Sequence, residues 1–247
     1  MACGDTDHKE STRDLRVPRC VPCGSFDSAA SPKMLSAVLF APSYAAPASS
    51  GNSILLVDFS GKDKAATFDW KANNDPVMGG QSHSTVKVEN GHLNFTGTCA
   101  IVPSLKAPGF ITAVAGNQFD LGDAASWKDV SGCEGLTITA NSANAYAGWR
   151  LSFGHAHPIG GKFFAYGYKS HFTPSVGSMG AVSVPFSNFT DFWDDATGEP
   201  IHTCAETPRY CPDAKTLANM KTMSIWAEGV EGDVSILVES IEGYGCK

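Results

Sequence analysis

An all-β fold, a sandwich or a barrel, is what this sequence predicts, and three observations predict it. Short runs of alternating or β-branched residues recur at near-regular spacing, Gly, Pro, Asn and Asp punctuate them, and helix-forming composition is poor. The 247 residues include 25 glycines, with 43% apolar and only 17% charged side chains. Such a balance suits strands joined by turns, because long surface helices need Glu, Lys, Arg and Ala. All-β sandwiches commonly fill about 200 residues as one unit, so a single domain is expected over residues 53–247. A core of that size can be stable without metal or disulfide staples.

Residues 54–59 form an apolar run that ends at Gly61 and predict the first strand. Residues 83–88 alternate and run through Glu89 to Asn90-Gly91, a strong hairpin signal leading into Leu93-Asn94-Phe95. The same period of two recurs at residues 136–139, 149–153, 181–184 and 234–241. Residues 213–223 carry the one hint of a helical turn. Between the first strand and the hairpin lies Trp70-Lys71-Ala72-Asn73-Asn74-Asp75-Pro76-Val77-Met78-Gly79-Gly80-Gln81-Ser82. Asn and Asp cap their own backbone, Pro76 pushes Asp75 extended, and Gly79-Gly80 permits positive φ or a close backbone approach. Thirteen residues so constrained predict a fixed corner.

That corner resembles the W-x-x-x-N-D-x-V-M-G-G-x-S signature of the complex I intermediate-associated protein 30 family. The resemblance extends from about Leu56 to Tyr244, through Leu93-Asn94-Phe95-Thr96-Gly97, Gly109-Phe110-Ile111-Thr112 and Gly135-Leu136-Thr137-Ile138. It continues in Tyr168-Lys169-Ser170-His171-Phe172 and Val184-Pro185-Phe186-Ser187-Asn188-Phe189. It implies a jelly-roll β-sandwich of the galactose-binding type and a chaperone-like, non-catalytic role in assembling mitochondrial respiratory complex I. In the signature, Trp70 reads as a core plug, Asn74 and Asp75 as turn caps, and Gly79-Gly80 as a tight crossing. The alternative is a recognition surface over Trp70, Asn74, Asp75, Met78, Gly79, Gly80 and Ser82, with adaptable Met78 touching a partner.

Residues 1–50 have no apolar periodicity before residue 33 and read as a disordered extension. Residues 34–45 then resemble a short secretory signal: Lys33, an apolar run and Ser43-Tyr44-Ala45 as a small-x-small cleavage site. Asp5, Asp7, Glu10 and Asp14 argue against a mitochondrial presequence. Cys20-Val21-Pro22-Cys23 lacks a second ligand pair nearby for zinc. Five cysteines lie beyond it. Cys204 and Cys211 can close a short ring, and Cys99 with Cys133 is a second candidate bridge that leaves Cys246 over. Asn94-Phe95-Thr96 and Asn188-Phe189-Thr190 are candidate N-glycosylation sequons. Cysteines, sequons and the signal-like segment tilt toward the secretory route, whereas the family resemblance points to mitochondria.

The catalytic signals are absent. No Gly-x-Ser-x-Gly, Gly-x-Gly-x-x-Gly or Gly-x-x-x-x-Gly-Lys-[Ser/Thr] occurs, so hydrolase, dinucleotide and P-loop chemistry lack support and no cofactor is expected. His155 and His157 could begin a metal site, but Pro158 to Gly161 reads as a loop. Asp191, Asp194, Asp195 and Glu199 lack the regular spacing of a calcium loop. Residues 51–247 hold 13 Lys/Arg against 20 Asp/Glu, with Arg150 and Arg209 the only arginines, so no basic face for nucleic acid exists. No apolar stretch is long enough to span a membrane. Aromatic residues crowd the middle third, among them Trp127, Tyr146, Trp149, Phe163, Phe164, Tyr166, Tyr168 and Phe172. Half of them are expected to pack the core, and exposed ones could stack on sugars or anchor a protein. Arg150, beside Trp149, could hold a carboxylate bidentately or sit in a surface ion pair. The expected function is therefore binding without turnover, of a protein partner or, alternatively, of carbohydrate by a secreted module.

Overall fold

The computed structural model describes residues 51–66, 68–75, 79–116, 127–154, 167–194 and 197–247. The predicted extension at residues 1–50, with its signal-like segment, lies outside them. Fourteen strands are described: β1 (Asn52–Asp58), β2 (Trp70–Asn74), β3 (His83–Glu89), β4 (His92–Cys99), β5 (Ile101–Val102), β6 (Ala107–Pro108) and β7 (Phe110–Gly116) in the first half. The second half contributes β8 (Gly135–Ser142), β9 (Trp149–Phe153), β10 (Tyr168–His171), β11 (Ser175–Val176), β12 (Gly180–Pro185), β13 (Thr222–Glu228) and β14 (Gly232–Cys246). A single short helix, α1 (Ala214–Ala218), starts at Asp213, whose carboxylate accepts from Thr216 N–H at 2.7 Å, among the described residues.

Two sheets face one another in a jelly-roll sandwich. The seven-stranded sheet runs β11-β8-β14-β4-β3, with β1 also on β14 and β12 on β8. The five-stranded sheet runs β10-β9-β13-β7-β2. Alternation sets the inner faces: Leu93, Phe95, Leu136 and Ile138 from the larger sheet meet Ile111, Trp149, Leu151 and Ile225 from the smaller, all fully buried. Trp149 packs edge-on against Phe95 and Tyr146, at centroid distances of 6.0 and 5.4 Å. The β3–β4 hairpin turns on Asn90 and Gly91 with φ of 53° and 78°, the left-handed pair that an Asn-Gly turn supplies.

β14 is 15 residues long, and an irregularity in its pairing with β8 changes which of its residues face inward. Its inward residues are Val234, Ile236 and Val238, then Ile241. The register shift between Val238 and Ser240 inserts Glu239 and flips the phase by one residue. Glu239 O accepts the amide of Phe59 at 3.1 Å, where β1 leaves the sheet.

Three local expectations are corrected. Residues 70–74 are an edge strand paired with β7, so the corner begins only at Asp75. The helical hint at 213–223 ends at Ala218, and Thr222 opens β13, a strand outside the expected set. Its Thr222, Ser224 and Glu228 alternate with Met223, Ile225 and Ala227, but the helical reading runs across its start and Trp226 interrupts the polar face. The Cys99–Cys133 bridge is not formed; Cys133 pairs with Cys246, while Cys204 pairs with Cys211. The reason is topological. The Gly132–Glu134 turn is laced to the end of β14 by Glu134 N–H to Tyr244 O and Lys247 N–H to Gly132 O, at 2.9 and 3.2 Å. Cys99 is instead fully buried at the end of β4, its thiol donating to Gly109 O at 3.0 Å, and burial pushes that thiol up to about 11.

Candidate functional site

The signature resolves into a cage around one carboxylate. Asp75 is buried where β2 ends, and its Oδ2 accepts from Ser82 Oγ at 2.8 Å and from Phe110 N–H at 3.2 Å. Its Oδ1 accepts from Ser82 N–H at 3.2 Å, and its backbone carbonyl accepts from Gly80 N–H at 3.2 Å. Ser82 Oγ in turn accepts from Ala100 N–H at 3.0 Å. These bonds tie the corner to the start of β7 and the end of β4. The glycines are steric requirements: a Cβ on Gly80 would lie 2.0 Å from Asp75 Oδ1, and one on Gly109 1.5 Å from Oδ2. Gly79 has φ of 74°, which lets the chain double back. Beside the cage, the Asn74 amide lies 2.6 Å from Ser84 Oγ. Trp70 is 8% exposed and packs on Phe59 at 5.4 Å. Met78 lies outside the described residues.

Arg150 belongs to a second buried cluster, on the outward side of the five-stranded sheet. Trp149 and Arg150 are neighbours on β9, so they face opposite ways: Trp149 into the core and Arg150 toward Gly198 and Glu199. The guanidinium, 1% exposed, donates to Gly198 O and Ala147 O at 3.2 Å each and to Glu199 Oε1 at 2.8 Å. Burial pulls it below the ordinary arginine value, and Glu228 and Glu199 pull it back. The other oxygen of Glu199 lies 3.0 Å from His171 Nε2, and burial, then Arg150, depress that imidazole. Lys169, one register step from His171, pairs with Glu228 at 2.7 Å; both side chains are buried. Its ammonium sits 3.4 Å from the centre of the Trp193 ring and 4.1 Å from that of Trp226, a cation held between two indoles. Trp226 donates to Ser152 Oγ at 2.7 Å. The void among these groups, about 20 Å³, is water-sized.

A third feature is open. A recess of about 330 Å³ lies beside β11, walled by Ala145, Tyr146, Ala147, Pro174 and Val176 with Asn144 and Thr173. The remaining candidates are dispersed. Asp194 caps its own turn through Thr197, and Asp191 is buried with one oxygen unpartnered. Burial raises the Asp191 carboxyl to about 6, with Asp213 adding to the rise. His155, His157, Asp195, Phe163, Phe164 and Tyr166 lie outside the described residues. Among the described residues, no group of three His, Cys, Asp or Glu side chains is placed to hold a metal. Asn188 is exposed at the end of a short 3-10 helix; Asn94 is half-buried mid-strand on β4. No helix among the described residues is long and apolar enough to cross a membrane. Lys169, Trp193, Trp226 and Glu228 escaped the sequence reading. The only available signal was the rarity of a charged residue inside β-patterned runs.

With that geometry in place, the class of protein is set by its fold, a jelly-roll β-sandwich. A family 11 carbohydrate-binding module from Clostridium thermocellum, in complex with a β-1,3-1,4-mixed-linked tetrasaccharide, aligns with a TM-score of 0.50 at 15% identity. The alignment covers 80% of this chain and 98% of the module. The family 11 module of the cellulosomal cellulase Lic26A-Cel5E of the same organism aligns at 17% identity and TM-score 0.49, covering 80% and 97%. No curated protein sequence matches. The sequence profile of Complex I intermediate-associated protein 30 (CIA30) matches residues 57–200, and the chain belongs to that family.

Proposed function

We propose that this chain is a non-catalytic binding module that holds a protein partner, as the family name implies for intermediates in respiratory complex I assembly. The observation that supports this reading most is how the ionisable side chains are used. Lys169 is committed to Glu228, Arg150 to Glu199, and Asp75 to amide and hydroxyl donors. Each such group serves the fold, and the open concavity beside β11 offers apolar surface instead. The carbohydrate alternative needs exposed rings, and of the aromatic residues of the middle third that are described, Tyr146, Trp149, Tyr168 and Phe172 are buried in the core. Two disulfides suit an oxidising compartment, which bears on either reading.

The test is chemical cross-linking of the purified full chain to detergent-solubilised mitochondrial inner membranes, run beside a glycan array. Capture of complex I subunits, lost when Val176→Asp disrupts the recess, is the expected outcome. Glycan binding without subunit capture replaces this reading with the carbohydrate one. Turnover of a glycan or ester overturns the non-catalytic reading altogether. Imaging a C-terminally tagged chain separates mitochondria from the secretory route.

A further inference from the structure

We propose that the recess beside β11 takes a short extended segment of a protein partner in which an apolar side chain is flanked by lysine or arginine. This inference rests on the protein-binding reading above and specifies its ligand. The recess is mostly apolar, and two of its polar walls are each tied back to the fold by one donor. Tyr146 Oη donates to Val230 O at 2.6 Å, and Asn144 Nδ2 donates to Asp233 O at 2.9 Å. Apolar atoms make up most of its wall, so an aliphatic anchor finds the larger share of matching surface. An aliphatic side chain loses nothing there. Val176 is 53% exposed, above Val88, Leu105 and Ile201 among the exposed large aliphatics, and it sits on a two-residue strand at the sheet edge.

Charge supplies the rest of the specification. Those two hydrogen bonds fasten the recess to the turn between β13 and β14 and to the start of β14, which present exposed Glu231 and Asp233. No Lys or Arg is among the lining residues. Residues 51–247 carry 20 acidic against 13 basic side chains, so a second copy of this chain would meet like charge, and an acidic peptide the same repulsion. A cationic flank beside the apolar anchor meets attraction, and it would steer association at low salt.

Fluorescence anisotropy tests this with the full chain and two dye-labelled synthetic peptides. One carries two leucines followed by two lysines between Gly-Ser spacers; the other replaces the lysines with glutamates. The lysine peptide should bind about three- to fivefold more tightly at low salt, as expected for exposed charge pairs. Raised salt should erase that difference. Glu231→Lys should abolish the preference, and Val176→Asp should abolish binding of both peptides with an unchanged thermal midpoint. Equal binding of the two peptides overturns the basic specification while the recess stands. Complex I subunits captured equally by wild type and Val176→Asp overturn the recess as the docking site but not the binding reading. Failure to capture any subunit, with neither peptide binding, overturns both. A dimer in sedimentation that Val176→Asp dissolves assigns the recess to a second copy and overturns the peptide inference.

Discussion

Asp75 and Glu228 are both buried carboxylates, and the molecule stabilises them in opposite ways. Asp75 is met by neutral donors: two from Ser82, seven residues on, and one from the amide of Phe110. No counter-charge is bonded to it, and two glycines make room for its oxygens. Glu228 is met by a full cation, Lys169, 59 residues earlier, with two indole rings around the ammonium. The first arrangement is a local backbone device that fixes a corner. The second is a tertiary device that holds residues 190–194 and 197–200 against the five-stranded sheet, where Lys169 and Thr190 exchange backbone hydrogen bonds at 2.9 and 3.1 Å. A short, local solution leaves a sequence motif; a long-range one leaves isolated charged residues in strands.

Breaking the ion pair should have the largest effect. Glu228→Ala removes the counter-charge from a buried ammonium, and removing one partner of a buried pair typically costs about 3–5 kcal/mol. Chemical denaturation should show that loss, and the double variant Lys169→Met with Glu228→Met should recover most of it. Equal damage from the single and double variants would mean the site depends on packing shape rather than on charge.

The Asp75 cage should come next. Asp75→Asn keeps the shape but turns an amino group toward the donors of Ser82 and Phe110, at a cost of about 1–3 kcal/mol for unsatisfied buried groups. Gly109→Ala should be at least as damaging, because its Cβ would fall within bonding range of Oδ2. If both variants keep the wild-type denaturation midpoint, the cage is not what holds the corner. Gly79→Ala is a milder probe of the same loop: its φ of 74° costs an L-residue on the order of 1–2 kcal/mol.

How much of this was legible follows from the same contrast. The signature named Asp75, Ser82, Gly79 and Gly80 because the cage closes within eight residues; Ala100, Gly109 and Phe110 come from outside. The Asn90-Gly91 hairpin was readable for the same reason. Arg150 was weighed as a ligand-holding donor or a surface ion pair because a lone arginine carries no record of Gly198 and Glu199, 48 and 49 residues away. β13 was overlooked because the helical reading of residues 213–223 ran over its first two residues and Trp226 breaks the polar face of its alternation. The Cys133–Cys246 bridge was missed because sequence gives spacing but not which turn lies against which strand end. The recess beside β11 leaves no motif, since its walls are ordinary alanines, a proline and a valine.

The smallest expected effect comes from a third buried carboxylate, which has neither device. Asp191 has an oxygen with no partner, and its carboxyl is raised to about 6 in the fold. Desolvation is the main cause, and the nearby Asp213 adds to it against a weaker pull from Arg209. The sign follows from linkage. Between the ordinary carboxylate value and about 6, the folded chain holds a proton that the unfolded chain has released, so stability falls as pH rises through that window. Asp191→Asn cannot ionise and escapes that fall. The variant should match wild type near pH 4 and exceed it above pH 7, by on the order of 1 kcal/mol. Thermal midpoints measured across the window decide the matter. A variant no more stable than wild type at high pH would show that Asp191 is satisfied as a carboxylate, like Asp75, and that the contrast stops at two buried carboxylates.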